Sequence, residues 1–365
     1  MKSRFWSFSL LALFSFANSI HSQTLDLGVG KCKKIEVRKE WRALSKSERK
    51  AWINAVNCLN QTPRSGKLSP PVNTSQHSPF DFIVPASSGG TYYDELVYTH
   101  MNLNPIIHMT GLFLPFHRLY LHEWTNALRT KCGYKGVAPY WAWESDAADF
   151  EHSSIWDPNP LHGLGGFGDA NDDYVVKDGG LNISVIYPMQ LRRNYRRFPF
   201  FVIPGSETIP ANITFTPTEV KALLSQSEGN FTGFQHYMEQ FVGMHTGVHG
   251  STGGDLAGRC PSGSNSSNCP FNGAPTFSAN EPMFFLHHGN IDRLWWLWQE
   301  KSRINKFVFH GGSVQNISAL NEFPNGMPPW LKKTDLIPGA GMFKSISIGD
   351  VLDTRKPPLC YTYDQ

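Results

Sequence analysis

The chain has 365 residues, of which 40% are hydrophobic, and this length suffices for one large domain or two smaller ones. The net charge is only +3, and the two signs are interspersed along the chain. Since no basic patch stands out, we expect no nucleic-acid partner. No apolar run is long enough to span a bilayer, so we expect no membrane partner either.

The first residues have the pattern of a secretory signal. Lys2 and Arg4 give a positive start, an apolar run follows at 8–16, and small residues suited to cleavage follow at 17–19. We therefore expect a signal peptide at 1–22, a single domain at 23–365, and a secreted, extracellular protein.

Cysteines and glycosylation sequons agree with secretion. Six cysteines follow the signal, and an even number predicts three disulfides with fifteen possible connectivities. We expect one bond to be Cys260–Cys269, because the residues between them are typical of a turn. Asn-x-Ser/Thr sequons predict N-glycans at some of seven positions. These are Asn60, Asn73, Asn182, Asn212, Asn230, Asn265 and Asn316.

The first half of the chain predicts three helices separated by loops. Residues 38–60 begin as a strand or turn and continue as a helix. Ser45 and Glu48 form a capping box at the start of this helix. Residues 61–88 predict a loop, and 92–99 start a second helix. Residues 112–130 have apolar side chains at helical spacing. Residues 140–215 are rich in Gly, Pro and Asp and predict a long functional loop.

The second half predicts three further helices. The first is at 216–224, with Thr216 as cap and Pro217 in the first turn. The second is at 234–249, a loop follows at 250–279, and the third helix is at 281–301 with Asn280 as its cap. Short strands are predicted near 306–309 and 345–352. This order of helices and loops favours a helical bundle with long loops.

Histidines fall into two clusters that predict a paired metal site. Three imidazoles in each cluster, without carboxylates at matching spacings, argue against di-iron or di-manganese and favour two copper ions. His245 and His249 are four residues apart on one helix face and can bind one ion. A zinc-protease site is excluded because Thr246, and not Glu, follows His245. The clusters are His100, His108 and His117, and His245 and His249 with His287–His288.

Three segments resemble the copper-binding signatures of the tyrosinase family, which includes tyrosinases, catechol oxidases and hemocyanins. They are FLPFHRLYLHEW, MHTGVHG and EPMFFLHHGNIDRLWWLWQ. The resemblance extends over most of 32–363 and is closest to short secreted fungal members. It implies a mainly α fold, in which an antiparallel four-helix bundle holds a dicopper centre, with long irregular loops and a few short strands. It also implies that 23–365 form a single tyrosinase-like copper-binding catalytic domain.

The resemblance further implies two copper ions, CuA and CuB, which together bind O2. It assigns His287 to the surroundings of the site, and Phe113 and Phe284 to aromatic packing beside ligand rings. Asp292 is a candidate to fix the tautomer of a ligand, and a surface ion pair with Arg293 is the alternative. The implied ligands are His100, His108 and His117 for CuA, and His245, His249 and His288 for CuB.

The implied reaction is oxidation of a small phenolic or catecholic substrate by O2. Many tyrosinases have Asn directly after the first CuB ligand, where it helps to hold a proton-accepting water, but Thr246 stands there in this chain. Glu239 and Gln240 are the nearest candidates to assist proton transfer, at a longer spacing from His245 than usual. Because a weaker base impairs monophenol hydroxylation more than diphenol oxidation, we expect oxidation of o-diphenols to o-quinones and leave monophenol ortho-hydroxylation open.

Two other functions stay open at this point. The first is a biosynthetic tailoring oxidase that acts on a tyrosine or phenol in a secondary metabolite. The second is a non-catalytic O2-binding relative, which a small chain without internal repeats disfavours.

The end of the chain resembles the end of the family's catalytic core. Tyr361 and Tyr363 form its Tyr-x-Tyr mark, and Arg38 is the expected stacking partner. We expect no C-terminal shielding domain of the kind found in latent tyrosinases.

Overall fold

A computed structural model describes residues 30–77, 83, 88–184, 191–196, 209–258 and 277–364. The predicted signal peptide, the Cys260–Cys269 bond and Asn265 lie outside these residues. The α-helices are α1 Lys46–Gln61, α2 Tyr92–Ile107, α3 Phe113–Cys132, α4 Pro217–Leu224, α5 Phe231–Glu239, α6 Met244–Thr252, α7 Met283–Gln299 and α8 Arg303–Phe307. The strands are β1 Glu36–Glu40, β2 Pro139–Tyr140, β3 Gly312–Val314, β4 Met327–Trp330 and β5 Tyr361–Tyr363. This architecture confirms the predicted mainly α fold with long loops and a few short strands.

A small parallel sheet joins distant parts of the chain. Strand β1 lies in the middle and pairs in parallel with β2 on one side and β5 on the other. Its register places Glu36 opposite Tyr361 and Arg38 opposite Tyr363. A disulfide between Cys32 and Cys360 lies next to the β1–β5 pair. The other two strands, β3 and β4, form an antiparallel hairpin.

Helix starts follow the sequence signals in most places. Ser45 caps α1, and Glu48 accepts a hydrogen bond from the Ser45 backbone, so the predicted capping box is confirmed. Thr216 caps α4, with Pro217 in the first turn. The predicted Asn280 cap is wrong, since α7 begins at Met283 without a side-chain cap. The Asn280 side chain instead donates to a carboxyl oxygen of Asp255 at 3.4 Å.

The single helix predicted at 234–249 is wrong, because the chain forms α5 and α6 instead. Gln240 leaves the helical conformation with φ −52° and ψ 155°, and Gly243 is extended with φ −123° and ψ 176°. A Cβ atom at Gly243 would lie 2.8 Å from the Gln240 carbonyl oxygen, so the turn requires glycine. Gly250 lies inside α6, and Gly253 with φ +71° ends that helix.

The strands predicted at 306–309 and 345–352 are also wrong. The first range overlaps α8, and the second contains a short 3-10 turn at Ile348–Val351. The segments are too short for periodicity to separate a strand from a turn. In contrast, the helix predicted to start at 92–99 is confirmed as α2, which continues through Pro105 to Ile107.

Two disulfides lie within the described residues. Cys58–Cys132 joins α1 to the end of α3, and Cys32–Cys360 joins the two ends of the described chain. No described helix has the length and apolar character needed to cross a membrane.

The carboxylate of Asp292 connects four elements in the core. Its Oδ1 accepts from Nε of Arg118 on α3 at 2.5 Å. Its Oδ2 accepts from Arg38 on β1 at 3.3 Å and from the hydroxyls of Tyr361 and Tyr363 on β5, both at 2.5 Å. Burial alone raises the pKa of Asp292, but the charges of Arg118 and Arg38 and the two hydroxyls outweigh it and leave the pKa below its usual value.

Both sequence interpretations of Asp292 are therefore wrong. It accepts from arginines and tyrosines rather than from a histidine, because it lies one helical turn past His288 and faces the sheet. It is only 3% exposed, so it forms no surface pair with Arg293; Arg293 instead pairs with Glu144. The predicted stacking of Arg38 is confirmed, with its Cζ 3.4 Å from the ring centre of Tyr361.

We expect Asp292→Ala to lower the free energy of unfolding by about 3–5 kcal/mol, because it leaves two buried arginines without their carboxylate. Chemical denaturation of the purified protein measures this loss. The control is Glu300→Ala, which removes partly exposed ion pairs with Lys306 and Arg355 and is expected to cost no more than about 2 kcal/mol. Equal losses in the two variants would contradict this account of the core.

Candidate metal centre

The first histidine cluster forms where α2 ends and α3 begins. His100 lies in the middle of α2, His108 directly follows that helix, and His117 lies in the second turn of α3. The ring centres are 5.2 Å apart for His100 and His108, 5.5 Å for His100 and His117, and 5.0 Å for His108 and His117. One nitrogen of each ring can therefore face a common point.

The second cluster forms between α6 and α7. His245 and His249, one turn apart on α6, have ring centres 4.6 Å apart. His287 and His288 approach them from α7, and one nitrogen from each of the four rings lies within 4.8 Å of the others. The structure thus brings together every histidine that the sequence placed in this cluster.

The two clusters are in contact with each other, and His288 lies at their boundary. Its ring stacks on that of His117 with centres 4.2 Å apart and planes 8° from parallel. The ring of His287 lies 4.7 Å from that of His249 within the second cluster, and 6.1 Å from that of Trp143. Of this pair, His288 is thus the residue that contacts the first cluster, and its predicted role as a metal ligand stays a prediction.

Backbone carbonyls orient two of the rings. Nδ1 of His117 donates to the carbonyl of Phe113 at 2.7 Å, and Nδ1 of His249 donates to the carbonyl of Leu256 at 2.5 Å. Each bond fixes the tautomer that leaves Nε2 unprotonated and free to bind a metal. The sequence pointed to Asp292 for this role and gave no sign of the two carbonyls, since a main-chain acceptor has no residue signature.

The donor set fits a pair of copper ions. Several ring nitrogens in the described part of the site are buried and have no hydrogen-bond partner, which is costly for a polar atom unless a ligand satisfies it. Imidazole nitrogen is a good ligand for copper. The unpartnered atoms are Nδ1 of His108, Nε2 of His249, and both ring nitrogens of His245, His287 and His288.

Burial keeps these imidazoles neutral. It lowers the pKa of His108 to about 3, with a further contribution from the nearby His249. It lowers the pKa of His249 to about 4. Burial and the neighbouring rings also hold the pKa of His117, His245 and His288 well below the ordinary value. Neutral rings at pH 7 are the form that binds a metal.

Aromatic side chains pack on the rings from both sides. The ring centre of Phe113 lies 4.9 Å from those of His117 and His245. Phe284 lies 4.2 Å from His288 and 4.9 Å from His100. The predicted packing of these two residues beside the histidines is therefore confirmed. Each phenylalanine contacts both clusters, so the surroundings of the site are apolar.

The three residues predicted to assist catalysis lie on or next to α5 and α6. Thr246 follows His245, is partly exposed, and its hydroxyl donates to the carbonyl of Gln240 at 3.4 Å. Glu239 is 1% exposed, and its Oε1 accepts from the backbone N–H of Met109 at 2.7 Å. Burial raises the pKa of Glu239 well above its ordinary value. The catalytic role of these residues stays a prediction.

Comparison with protein families gives one match over more than half of the chain. The profile described as the common central domain of tyrosinase matches residues 90–301. This range contains all seven clustered histidines.

Individual proteins are similar over nearly the whole chain. The tyrosinase-like protein phomQ1′ of Diaporthe leptostromiformis is 29% identical over 378 residues, covering 94% of this chain and 84% of that protein. The N-acetyl-6-hydroxytryptophan oxidase ivoB of Emericella nidulans is 27% identical, covering 97% of this chain and 99% of that protein. Among solved structures, a polyphenol oxidase from Thermothelomyces thermophila has a similar fold, with a TM-score of 0.59 at 24% identity, covering 91% of this chain and 89% of that one.

We expect the metal-free protein to lose stability as the pH falls from about 6.5 to 4. The clustered histidines have a lower pKa in the folded than in the unfolded chain, so the unfolded chain binds more protons in this range. Each pKa unit corresponds to about 1.4 kcal/mol, and denaturant titrations at several pH values measure the sum. His287→Phe removes one such ring, whose pKa burial holds well below the ordinary value, and is expected to reduce the slope. A flat profile in the unsubstituted protein would contradict this electrostatic account.

Proposed function

The chain belongs to the tyrosinase family of copper-dependent oxidoreductases, and from this premise we propose that it oxidises o-diphenols to o-quinones with O2. The observation that carries the proposal is the contact between two clusters of neutral imidazoles, in which His117 stacks on His288. Two ions held in this way would lie side by side, as a reaction that takes two electrons from one catechol requires.

We propose that each cluster holds one copper ion through three ligands. These would be His100, His108 and His117 for CuA, and His245, His249 and His288 for CuB. When bound, the copper pair supplies O2 binding and electron transfer. His287, with its ring near Trp143, stays next to CuB as a packing neighbour in this assignment.

The protein's own contribution is orientation and exclusion of water. Carbonyls of Phe113 and Leu256 fix the rings of His117 and His249, while Phe113 and Phe284 provide an apolar wall. His108 and His249 are partly exposed, whereas the remaining clustered histidines are buried. We therefore propose that the phenol approaches from the side of His108 and His249.

Proton transfer is the step at which monophenols and diphenols differ. Thr246 and Gln240 do not ionise in the relevant range, and they remain proposed as groups that hold a water near His245. The raised pKa of Glu239 makes it a poor acceptor at neutral pH. The absence of an evident carboxylate base among these three residues supports diphenol oxidation as the main activity and leaves monophenol hydroxylation as a minor one.

A tailoring role in biosynthesis is the second candidate. It is favoured by the N-acetyl-6-hydroxytryptophan oxidase of Emericella nidulans, which covers nearly the whole chain. The chemistry at the copper pair would be the same, and only the phenol would differ. Turnover of a free catechol argues for the first candidate; turnover only of a larger hydroxylated aromatic argues for the second.

We also propose that the protein is secreted, after removal of 1–22 from a single domain at 23–365, and that it carries N-glycans. The structure distinguishes among the sequons in the described residues. Asn73, Asn182 and Asn230 are exposed. Asn60 is 6% exposed, and its amide donates to the Ser184 carbonyl at 2.8 Å.

The proposed function predicts two copper ions per chain and turnover of catechol. Copper analysis after metal loading, with quinone absorbance followed under air, measures both. His288→Phe is expected to retain one copper and lose turnover by at least about 100-fold, which is a typical cost of removing a metal ligand's contribution. The matched control His287→Phe changes the neighbouring ring and is expected to keep both ions. One copper per unsubstituted chain, or no quinone from a fully loaded one, would refute the proposal.

Glycan placement is a separate prediction. A glycan attaches to the side-chain amide nitrogen, which must reach solvent. In protein secreted from a eukaryotic host, we expect glycans at Asn73, Asn182 and Asn230. We expect none at Asn60, Asn212 or Asn316, whose amides donate to Ser184, Ala147 and Met327. Enzymatic deglycosylation in heavy-oxygen water with peptide mass spectrometry reads each site, and a glycan on Asn60 of folded protein would contradict the prediction.

A further inference from the structure

Two side chains of α5 bind the segment that follows His108. The backbone N–H of Met109 donates to Oε1 of Glu239 at 2.7 Å, and Nε2 of Gln235 donates to the carbonyl of Thr110 at 2.8 Å. Gln235 and Glu239 are four residues apart, so they project from one face of α5. They are 0% and 1% exposed, respectively. Together they form the Gln235/Glu239 pair.

The bound segment has a backbone conformation that needs such support. Met109 has φ +50°, in the left-handed region that residues other than glycine rarely adopt. A conformation of this kind costs free energy and persists where the surroundings fix it. Besides the Gln235/Glu239 pair, the hydroxyl of Thr110 donates to the carbonyl of Ile106 at 2.7 Å. The chain therefore bends directly after His108, with support from α5.

A second contact acts on His108 itself. Nε2 of Gln315 donates to the His108 carbonyl at 3.0 Å. His108 follows α2, with φ −121° and ψ 143°, so its backbone has left the helical conformation. Contacts to the backbone on either side of its Cα atom thus contribute to placing the ring of His108, beside an interaction with the backbone of Asn104.

We propose that Glu239 is a positioning residue for the copper ligand His108, which it orients through the Met109 amide, rather than an acceptor of the substrate's proton. The inference rests on the assignment of His108 to CuA under Proposed function. In this role, Glu239 acts through one carboxyl oxygen, which accepts the hydrogen bond of the Met109 backbone amide.

The environment of the carboxyl group favours this role over that of a base. One oxygen accepts from Met109, and the other lies 3.4 Å from Nε2 of Gln235. A general base needs an oxygen within hydrogen-bond reach of the substrate or of one bridging water. Both oxygens of Glu239 face groups of the protein interior instead.

Two substitutions at one position separate the two roles. Glu239→Gln keeps an oxygen that accepts from Met109 but cannot act as a carboxylate base. Glu239→Leu keeps a comparable volume but leaves the Met109 N–H without its acceptor.

Glu95 offers a matched control. It is likewise 1% exposed, and its carboxylate accepts from the backbone N–H groups of Ser65 at 2.6 Å and Gly66 at 2.9 Å. Those residues lie in a loop that carries no copper ligand. Glu95→Leu therefore breaks the same kind of buried bond elsewhere.

The experiment titrates copper into each metal-free protein against a competing chelator. We expect E239Q to bind two ions as the unsubstituted chain does, and to keep its ratio of monophenol to diphenol turnover. We expect E239L to bind one ion normally and the other about 10–100-fold more weakly, the usual effect of losing a group that orients a ligand. Control E95L is expected to unfold at a lower temperature and still bind both ions tightly.

Two results would overturn the inference. One is tight binding of two ions by E239L. The other is E239Q with both ions bound but a lower ratio of monophenol to diphenol turnover, which would make Glu239 the base. If E239L does not fold, Gln235→Leu removes the bond to Thr110 and is expected to weaken the same ion; unchanged affinity there also overturns the inference. An unsubstituted chain that fails to bind two ions contradicts the proposed function instead.

Discussion

The carboxylate of Asp292 is the interaction on which the rest of the structure depends. It binds Arg118 of α3 and lies on α7, and these are the helices that carry His117 and His288. The two histidine clusters meet at the stack of these two rings and at the rings of His108 and His245. The buried Arg118–Asp292 ion pair therefore holds together the two helices that carry these histidines. The same carboxylate binds Arg38 and the β5 tyrosines, and Tyr363 also donates to the Gly289 carbonyl, so several contacts attach the sheet to the helix that carries His288.

The centre itself combines features that oppose each other energetically. Packing against Phe113 and Phe284 stabilises the apolar surroundings, yet it leaves ring nitrogens buried without partners. Such atoms destabilise the metal-free chain, and one nitrogen of each ligand ring would gain a partner when a metal binds. Copper binding and folding are therefore linked: the arrangement that costs free energy without the metal is the one that gives affinity for it.

The sequence predicted the two histidine clusters better than it predicted the backbone. All seven clustered histidines, the packing of Phe113 and Phe284, and the stacking of Arg38 follow from residue types and spacing that a family signature preserves. The break between α5 and α6 was missed, because a run of apolar residues around Gly243 has helical periodicity on both sides of the turn. The roles of Asp292 and of the Phe113 and Leu256 carbonyls were missed as well. They depend on contacts between residues far apart in sequence or on main-chain atoms, and neither leaves a local pattern.

The pairing of β1 with β5 affects the order in which parts of the molecule can assemble during synthesis. Arg38 and its partner Tyr363 are separated by 325 positions, and β1 pairs with both β2 and β5. At ribosomal rates of about 5–20 residues per second, roughly 15 to 65 s pass between synthesis of the two strands. During that interval the Arg38 guanidinium has no β5 to stack on, and Asp292 lacks both tyrosine hydroxyls. The sheet thus assembles late, through contacts between residues far apart in sequence. All the histidines have been synthesised before β5 can pair with β1.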